Sequence, residues 1–336
     1  MKKEQGEQGF IWWHGVVEDI DDPLKLGRCR VRCVGYHTAN KEKIKTSDLP
    51  WATPLQSIVS ASVSGIGISP TGLLQGSHVF GFFRDGMKFQ MPVILGSFAG
   101  IPKDKIPSDF GFSDPEDKYP LEEETENGTS ILGESDVSRL ARGEKTDQTI
   151  IQKKKDKTTK GVSQSGGGSW DEPETPYAAK YPFNKVFQTS SGHVCEFDDT
   201  EGKERIHIYH KAGTFFELHP NGSIVQKVEK DRYQVVLGDD YINVKGKVSV
   251  TVEGDALIKV EGETKIEATG KIDVQGESEI NVKSNQQIVM DAPIITLNAA
   301  NQINGTAGAV AISGGSSELS LNNGGLKMTA PKIDLN

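Results

Sequence analysis

The sequence predicts a mainly β protein that consists of an N-terminal barrel, a linker and a C-terminal β-helix wound from three identical chains. Three observations support this prediction. Residues 236–336 repeat with a period of eight, and residues 9–101 contain short runs of alternating apolar and polar residues. Residues 102–177, which separate these regions, are polar and highly charged. We begin with the repeat, because a fixed period decides the architecture more firmly than local propensity does.

The repeat is an octad in which a valine is followed two positions later by a glycine. The residues that define it are Val236, Gly238, Val244, Gly246, Val252, Gly254, Val260, Gly262, Gly270, Val274, Gly276 and Val282. Between Gly270 and Gly276 the glycine spacing shortens by two residues, which predicts a shift in the register at that point. Beyond Val282 the pattern weakens, but it can be followed to Ala330.

Each octad predicts one β-strand followed by a corner. Residues between the glycines alternate apolar with polar, as in the stretch 248–254, and glycine permits the backbone to turn. One octad covers only about 20 Å, which is too short for a single chain to enclose its own core. We therefore expect each octad to form one face of a prism, with two other chains supplying the remaining faces. A single-chain β-solenoid or a β-sandwich is the alternative.

Residues 1–101 predict a small barrel of the OB-fold type. Five candidate strands suit a Greek-key barrel of this size. They are Phe10–Ile20, Leu26–Tyr36, Leu55–Val63, Ser77–Arg84 and Met91–Phe98. In the second strand three arginines, at positions 28, 30 and 32, alternate with Cys29, Val31 and Cys33 and therefore share one face. That face could bind an anion or nucleic acid, as some OB-folds do, or it could face solvent or a protein partner.

Composition favours the second interpretation of the arginine face. The net charge of −9 argues against nucleic-acid binding through a basic surface, and no aromatic residues alternate with the arginines. The three cysteines are too few for a disulfide framework, and Cys29 and Cys33 are expected to be buried apolar residues. We expect no cofactor and no metal. His207 and His210 lie three residues apart and would point to opposite faces of a strand.

The central residues predict two further segments. Residues 102–177 have the composition of an extended linker, with an acidic run at 121–128 and a lysine cluster at 151–161 that we expect to be solvated or paired with that run. A short helix is expected only within about 134–152. Residues 178–235 recover β character, with turns such as Asn221-Gly222, and are expected to lead into the octads at 236–336. The chain contains no apolar run long enough for a transmembrane helix, and its first residues do not resemble a secretory signal.

Several motifs resemble the baseplate central spike proteins of contractile-tailed bacteriophages. They are LKLGRCRVR at 24–32, VFGFFRDG at 79–86, AKYPFN at 179–184 and SGHVCEFDDT at 191–200, followed by the octads. The valine-glycine-repeat spikes of type VI secretion share this architecture, but the short segment ahead of the predicted barrel favours the phage arrangement. The resemblance covers most of the chain.

The resemblance implies a homotrimeric spike in the virion tail baseplate, assembled from chains made in the host cytoplasm. Sheath contraction would drive the spike mechanically through the host outer membrane. A trimeric hub or tail-tube protein is expected at the barrel end. A PAAR-like tip protein is expected at the C-terminal end, because the sequence ends in MTAPKIDLN without the His-x-His motif of some short spikes. Nucleic acid is not an expected partner.

Enzyme activity is the main alternative to a purely structural spike. Well-known members of the family carry a lysozyme domain between barrel and needle, with a catalytic glutamate. Here the corresponding interval, residues 102–177, has linker composition, and its solvated acidic run cannot hold a carboxyl group in the desolvated pocket that acid catalysis needs. We therefore expect no enzyme activity and no catalytic residues. A peptidoglycan hydrolase with an unrecognised active site remains the rival hypothesis.

Overall fold

A computed structural model describes residues 10–99, 135–145, 149–307, 309–314, 317–322 and 325–329. The chain divides into two compact units, Met1–Ala256 and Leu257–Asn336. The first unit contains a closed barrel and a five-stranded sheet, and the second contains a three-stranded sheet. The predicted acidic run at 121–128 lies outside the described residues. Within the described residues, no helix is both long and apolar enough to cross a membrane.

The N-terminal barrel has five strands in the order β1-β2-β3-β5-β4. These are β1 (Ile11–Asp19), β2 (Cys29–Cys33), β3 (Trp51–Pro54), β4 (His78–Phe83) and β5 (Pro92–Ser97), with single 3-10 turns at Thr46–Asp48 and Gly86–Lys88. Strands β3 and β5 pair in parallel, and all other neighbours pair antiparallel. The expectation of a mainly β chain with an OB-like barrel is confirmed.

The predicted position of the third strand is wrong. The strand lies at Trp51–Pro54, and most of the predicted segment Leu55–Val63 is a loop. Only the amide of Leu55 extends the pairing, by donating to the carbonyl of Ile94 at 2.7 Å. Beyond it, Ile58 and Val59 are exposed to solvent. The apolar residues of this segment have the composition of a strand, but no strand of the barrel lies beside them to pair with.

The barrel core contains the two cysteines of β2, as expected. The buried cluster comprises Trp13, Val17, Cys29, Val31, Cys33, Ala52, Val79, Phe83 and Ile94. Both cysteines are free thiols, and burial raises the pKa of Cys33 to about 12. Gly81 is required by this packing, because a Cβ atom there would lie 1.9 Å from the carbonyl oxygen of Val93.

The arginine face of β2 is neutralised within the barrel. Each arginine pairs with a carboxylate of β1 or of the loop after it: Arg28 with Asp22 at 2.6 Å, Arg30 with Asp19 at 3.4 Å and Arg32 with Glu18 at 2.9 Å. The side chains of Arg32 and Glu18 are completely buried. The expectation of a solvated face is therefore wrong for Arg32, and the pairing gives the anion-binding alternative no support.

The second sheet of the first unit is an antiparallel meander in the order β12-β11-β10-β9-β8. Before it come helix α1 (Ile150–Asp156) and the short pair β6 (Val162–Ser163) and β7 (Ser169–Trp170). The sheet strands are β8 (Asn184–Gln188), β9 (Val194–Asp198), β10 (Arg205–Tyr209), β11 (Phe215–Leu218) and β12 (Ile224–Lys227). The predicted short helix is thus present, but it starts near the end of the expected segment.

After β12 the backbone bends at regular eight-residue intervals. In the first unit the bends lie at 229–230, 237–238, 245–246 and 253–254, and in the second unit at 261–262, 269–270, 277–278 and 285–286. The predicted register shift at Gly276 is therefore wrong, because the bend falls on Glu277 and Ser278. The described residues from 228 to 307 form no strand pairs within the chain.

The last described residues of the second unit form an antiparallel meander. Its strands are β13 (Ala309–Gly314), β14 (Ser317–Asn322) and β15 (Gly325–Thr329). Only two residues connect each pair of strands, and the second connection has the sequence Asn323-Gly324. Asn-Gly is the preferred sequence of a two-residue hairpin. The octad pattern that was followed weakly through this segment therefore gives way to local hairpins.

Candidate functional site

The two faces of the β8–β12 sheet differ sharply in chemistry. Side chains alternate between faces along each strand. The face toward Glu196, His207 and Glu217 is buried although it is charged. The opposite face carries Phe197 and Ile208, which are half exposed although they are apolar. This inversion makes the charged face the main candidate for a site built within one chain.

The charged face is covered by a segment that we call the strap, comprising residues 135–145 and 149–180. Its apolar residues Leu140, Ile150, Ile151 and Tyr177 pack with Val194, Tyr209, Phe215 and Val225 of the sheet. The hydroxyl of Tyr177 donates to the carbonyl of Leu140 at 2.8 Å, which ties the two parts of the strap together. The described part of the predicted linker is therefore a packed cover rather than free chain.

Helix α1 directs a lysine into the sheet. Ile150 and Lys154 are four residues apart and share one face of the helix, and both are buried. The ammonium group of Lys154 lies 2.7 Å from Glu217 and 3.8 Å above the ring centre of Phe215. The expectation that the lysine cluster is solvated is wrong for Lys154, whereas Lys155 is exposed.

Lys154 belongs to an ion cluster that we define as Lys154, Glu196, Arg205, His207 and Glu217. Arg205 donates from Nη1 to Glu217 at 2.9 Å and from Nη2 to Glu196 at 2.8 Å. Thr175 of the strap also donates to Glu217, at 2.7 Å. Two cations thus face two carboxylates, which lets the charged groups be buried together without a net charge.

His207 lies between a carboxylate and an ammonium group. Its Nδ1 is 2.7 Å from Glu196, and its Nε2 is 3.2 Å from Nζ of Lys154. An ammonium group can only donate, so Nε2 must accept and Nδ1 must carry the proton. His207 is therefore neutral in this arrangement, and a second proton on Nε2 would point directly at Lys154.

The pKa shifts follow from burial and from these contacts. Burial lowers the pKa of His207 below its ordinary 6.5, although Glu196 opposes this effect. Burial alone would raise the pKa of Glu217, but the charge and the hydrogen bond of Lys154 outweigh it and hold that pKa at about 2. The pKa of Glu196 is also lowered, because His207 and Arg205 outweigh its desolvation. Both carboxylates therefore remain ionised.

The cluster is built to hold the strap rather than to catalyse. Every charged member is paired, and a general acid would need a raised carboxyl pKa, which is the opposite of the shifts at Glu196 and Glu217. In the part of the chain that the structure describes, no group of three His, Cys, Asp or Glu residues could hold a metal ion. The sequence analysis missed the cluster, although alternating charged residues in β9 and β10 signalled it.

His207 and His210 point to opposite faces, as their spacing predicted. His207 is buried and His210 is exposed. His210 lies against His193, with ring centres 4.5 Å apart. The Nδ1 atoms of His193 and His210 accept the backbone N–H groups of Lys211 and Ala212 at 3.4 and 3.2 Å.

The predicted repeat residues line the bends and the extended stretches between them. Gly238, Gly246, Gly254, Gly262 and Gly270 each occupy the second position of a bend, but Gly276 does not. Val236, Val244, Val252, Val260, Val274 and Val282 are all exposed within the single chain. Their assignment to a shared core between chains stays a prediction.

Replacing Lys154 with methionine should loosen the strap. The substitution keeps a long apolar side chain but leaves Glu217 with one cation fewer, and breaking a buried pair costs about 3–5 kcal/mol. We expect faster proteolysis within 149–180 and a lower denaturation midpoint. The matched control is Lys155→Met, one residue further along α1 and exposed. Equal protease resistance of the two variants would contradict the role of Lys154.

The stability of the protein should depend on pH through the titration of His207. Because its folded pKa is lowered from 6.5, the unfolded chain binds a proton first as the pH falls, and stability decreases from about pH 6.5 downward. Glu196 and Glu217 have pKa values below their ordinary 4.5 and lose their contribution only in stronger acid. The readout is the denaturation midpoint at pH 7.5 and 5.5.

The variant His207→Gln should flatten this part of the pH profile, because glutamine can donate to Glu196 and accept from Lys154 without titrating. His210→Gln, which alters an exposed histidine in the turn after β10, should leave the profile unchanged. An unaltered slope in His207→Gln would show that another group is responsible.

Comparison with known proteins agrees with the barrel and its motifs. Residues 35–178 match the family model described as the Gp5 N-terminal OB domain. A protein of Vibrio phage KVP40 named Protein Gp5 is 43% identical over 255 residues, which covers 69% of this chain and 60% of that protein. The pre-baseplate central spike protein Gp5 of Enterobacteria phage T4 is 44% identical over 128 residues, which covers 37% of this chain and 22% of that protein.

The chain spans less than two thirds of the length of both relatives. The family match begins within the barrel and continues past its last strand through the strap. The relatives and the matched domain both point to the spike family that the sequence motifs indicated. Residues 35–178 are therefore similar to the Gp5 N-terminal OB domain, and the chain is similar to Protein Gp5 of Vibrio phage KVP40 and to the pre-baseplate central spike protein Gp5 of Enterobacteria phage T4.

Proposed function

We propose that this protein is the homotrimeric central spike of a phage tail baseplate, and that it punctures the host outer membrane mechanically when the tail contracts. The observation that carries the proposal is the apolar surface that one chain leaves uncovered, first on the sheet and then along the octads. The relationship to Gp5 proteins supports the same function.

The exposed face of the β8–β12 sheet carries two apolar rows that cross the strands. One row runs through Phe187, Cys195, Ile208 and Phe216, and the other through Phe197, Ile206, Leu218 and Ile224. Phe187 is 69% exposed and Ile208 is 54% exposed. Monomeric proteins rarely expose contiguous apolar patches of this kind, which usually mark an interface.

The octads extend this apolar character along the chain. With bends every eight residues, the even-numbered residues keep one face, and the residue four positions after each bend from 237–238 to 285–286 is apolar. These residues are Ile242, Val250, Ile258, Ile266, Val274, Val282 and Met290. Burying each aliphatic side chain contributes about 1.5–3 kcal/mol. Three chains, each supplying one face of a prism, would bury the whole series.

The proposed mechanism needs stiffness rather than chemistry. Strands that pair between chains along the octads up to Met290 would leave no helical hinge to absorb force. Such an interlocked trimer unfolds slowly, because no chain can leave without breaking the shared core. The prism would transmit the force of sheath contraction to the outer membrane.

Partners follow from the two ends of the proposed spike. The barrel would dock to a trimeric hub or tail-tube protein, and its exposed aromatic cluster of Phe10, Trp12, Phe80 and Phe82 offers a suitable surface. A PAAR-like tip protein is proposed at the C-terminal end, where it would cover the strand edges. The protein would act in the virion, at the tail baseplate.

Light scattering tests the proposed assembly. The intact protein should have three times the 36.5 kDa chain mass, and removal of residues 236–336 should abolish or weaken the trimer. Ile208→Lys should also weaken association by placing a charge on the apolar sheet face, whereas Lys155→Glu, at an exposed position of the strap, should not. A monomeric intact protein would overturn the triple-stranded β-helix.

The rival function, peptidoglycan hydrolysis, has a direct test. We expect no turbidity loss when the isolated protein is added to purified cell walls, because the buried carboxylates Glu196 and Glu217 have lowered pKa values, whereas a general acid needs a raised one. A variant lacking 121–165 serves as the comparison. Wall lysis by the intact protein that is lost on this deletion would establish an enzyme and contradict the purely mechanical role.

A further inference from the structure

Three buried polar atoms next to the ion cluster have no hydrogen-bond partner among the described residues. They are Oδ1 of Asn184, Oδ2 of Asp198 and Nε of Arg205. The three residues are 4%, 2% and 2% exposed, so bulk water does not reach them. A buried polar atom without a partner costs about 1–3 kcal/mol, and three such atoms in one place call for a common cause.

The three residues are direct neighbours in the sheet. Asn184 in β8 lies opposite Asp198 in β9, and Asp198 lies opposite Arg205 in β10. All three side chains lie on the buried face beneath the strap. Side chains directly opposite each other have Cβ atoms about 4.5–5.5 Å apart, so a small ligand could contact all three.

The other ends of two of these side chains are fixed. Oδ1 of Asp198 accepts from the amide of Thr200 at 3.0 Å and from its hydroxyl at 2.6 Å. Nδ2 of Asn184 donates to the carbonyl of Leu140 at 3.1 Å and to Glu196 at 3.0 Å. These contacts set the amide orientation, so the unpaired oxygens cannot turn elsewhere without breaking existing bonds.

Arg205 is fixed as well, and its geometry aims Nε at the same place. Its Nη1 and Nη2 atoms donate to Glu217 and Glu196. In a planar guanidinium group Nε–H and one Nη2–H leave from the same edge. Nη2 and Nδ2 of Asn184 donate to the same oxygen of Glu196, so this edge faces Asn184.

We propose that one structural water molecule binds between Asn184, Asp198 and Arg205. It accepts from Nε–H of Arg205 and donates to Oδ1 of Asn184 and Oδ2 of Asp198. Three hydrogen bonds are the usual number for a buried water. A metal cation does not suit the site, because a guanidinium N–H points into it. An anion does not suit it either, because two of the three atoms are oxygen acceptors.

The water would connect parts of the fold that share no direct bond there. Asp198 accepts hydrogen bonds from Thr200, and Asn184 donates to the carbonyl of Leu140 in the strap. Arg205 pairs with both carboxylates of the ion cluster. Through the water, Arg205 gains a third negatively charged neighbour. The water site therefore adds Asp198, at the end of β9, to the polar contacts by which the ion cluster holds the strap.

A crystal structure of the intact protein at about 1.5 Å resolution tests the proposal. We expect a single density peak within about 3 Å of all three atoms, with neighbours at water distances. A direct hydrogen bond between Arg205 Nε and Asp198, with no density between the three residues, would overturn it. So would the side chain of another residue in that position.

The variant Asp198→Asn gives a second test between a bound water and a direct hydrogen bond from Arg205 to residue 198. Its amide oxygen can keep both Thr200 contacts, which places its NH2 group toward the site. A water can then accept from this group and from Arg205 while donating to Asn184, so the peak should persist and the melting temperature should fall by only a few degrees. In a direct arrangement two donors would face each other, and a displaced Arg205 side chain without the peak would count against the water.

Discussion

The buried charge on one face of the β8–β12 sheet is the constraint on which the rest of this region depends. Arg205 alone cannot balance Glu196 and Glu217, since one cation against two carboxylates leaves a net charge of −1 while His207 is neutral. Lys154 from the strap supplies the missing charge, at 2.7 Å from Glu217. The charges of Glu196 and Glu217 are therefore balanced by two cations only when the strap covers the sheet. Buried ion pairs contribute little net stability against apolar substitutes, but breaking one is costly, so the cluster serves to fix where the strap lies.

The same strand alternation that buries these charges turns the apolar side chains outward. In an isolated chain that arrangement is unfavourable, because Phe187, Phe197 and Ile208 remain in water. It becomes reasonable if the exposed face is the inside of an assembly and the strap is its outside. Because eight is an even number, each successive bend returns the even-numbered residues to the same face. The apolar surface can thus continue from sheet to octads in one chain.

The sequence predicted the OB-like barrel and the eight-residue period of the bends, and it failed where tertiary pairing decides the outcome. The five candidate strands within residues 9–101 were sufficient to predict the OB-like barrel, although the third was misplaced. Nothing local distinguished Lys154 from Lys155, because only the sheet beneath α1 makes one of them buried. The prediction of a strand at Leu55–Val63 failed for the converse reason. Its composition is typical of a strand, but no neighbouring strand pairs with it beyond Leu55. Glycine spacing misplaced the register at Gly276 because a bend can form at Glu277 and Ser278 without glycine.

The strap also bears on what the region between barrel and needle is for. Its composition resembles a linker left behind by a missing enzyme domain, and on composition alone that interpretation is reasonable. Yet the match to the Gp5 OB domain continues from the barrel to residue 178 and so includes the strap. Its contacts with the sheet are specific: a lysine on α1, the Thr175 hydroxyl on Glu217 and a tyrosine bonded to Leu140. Such contacts are those of a structural element. This favours a strap that belongs to the proposed spike and covers the charged face of the β8–β12 sheet.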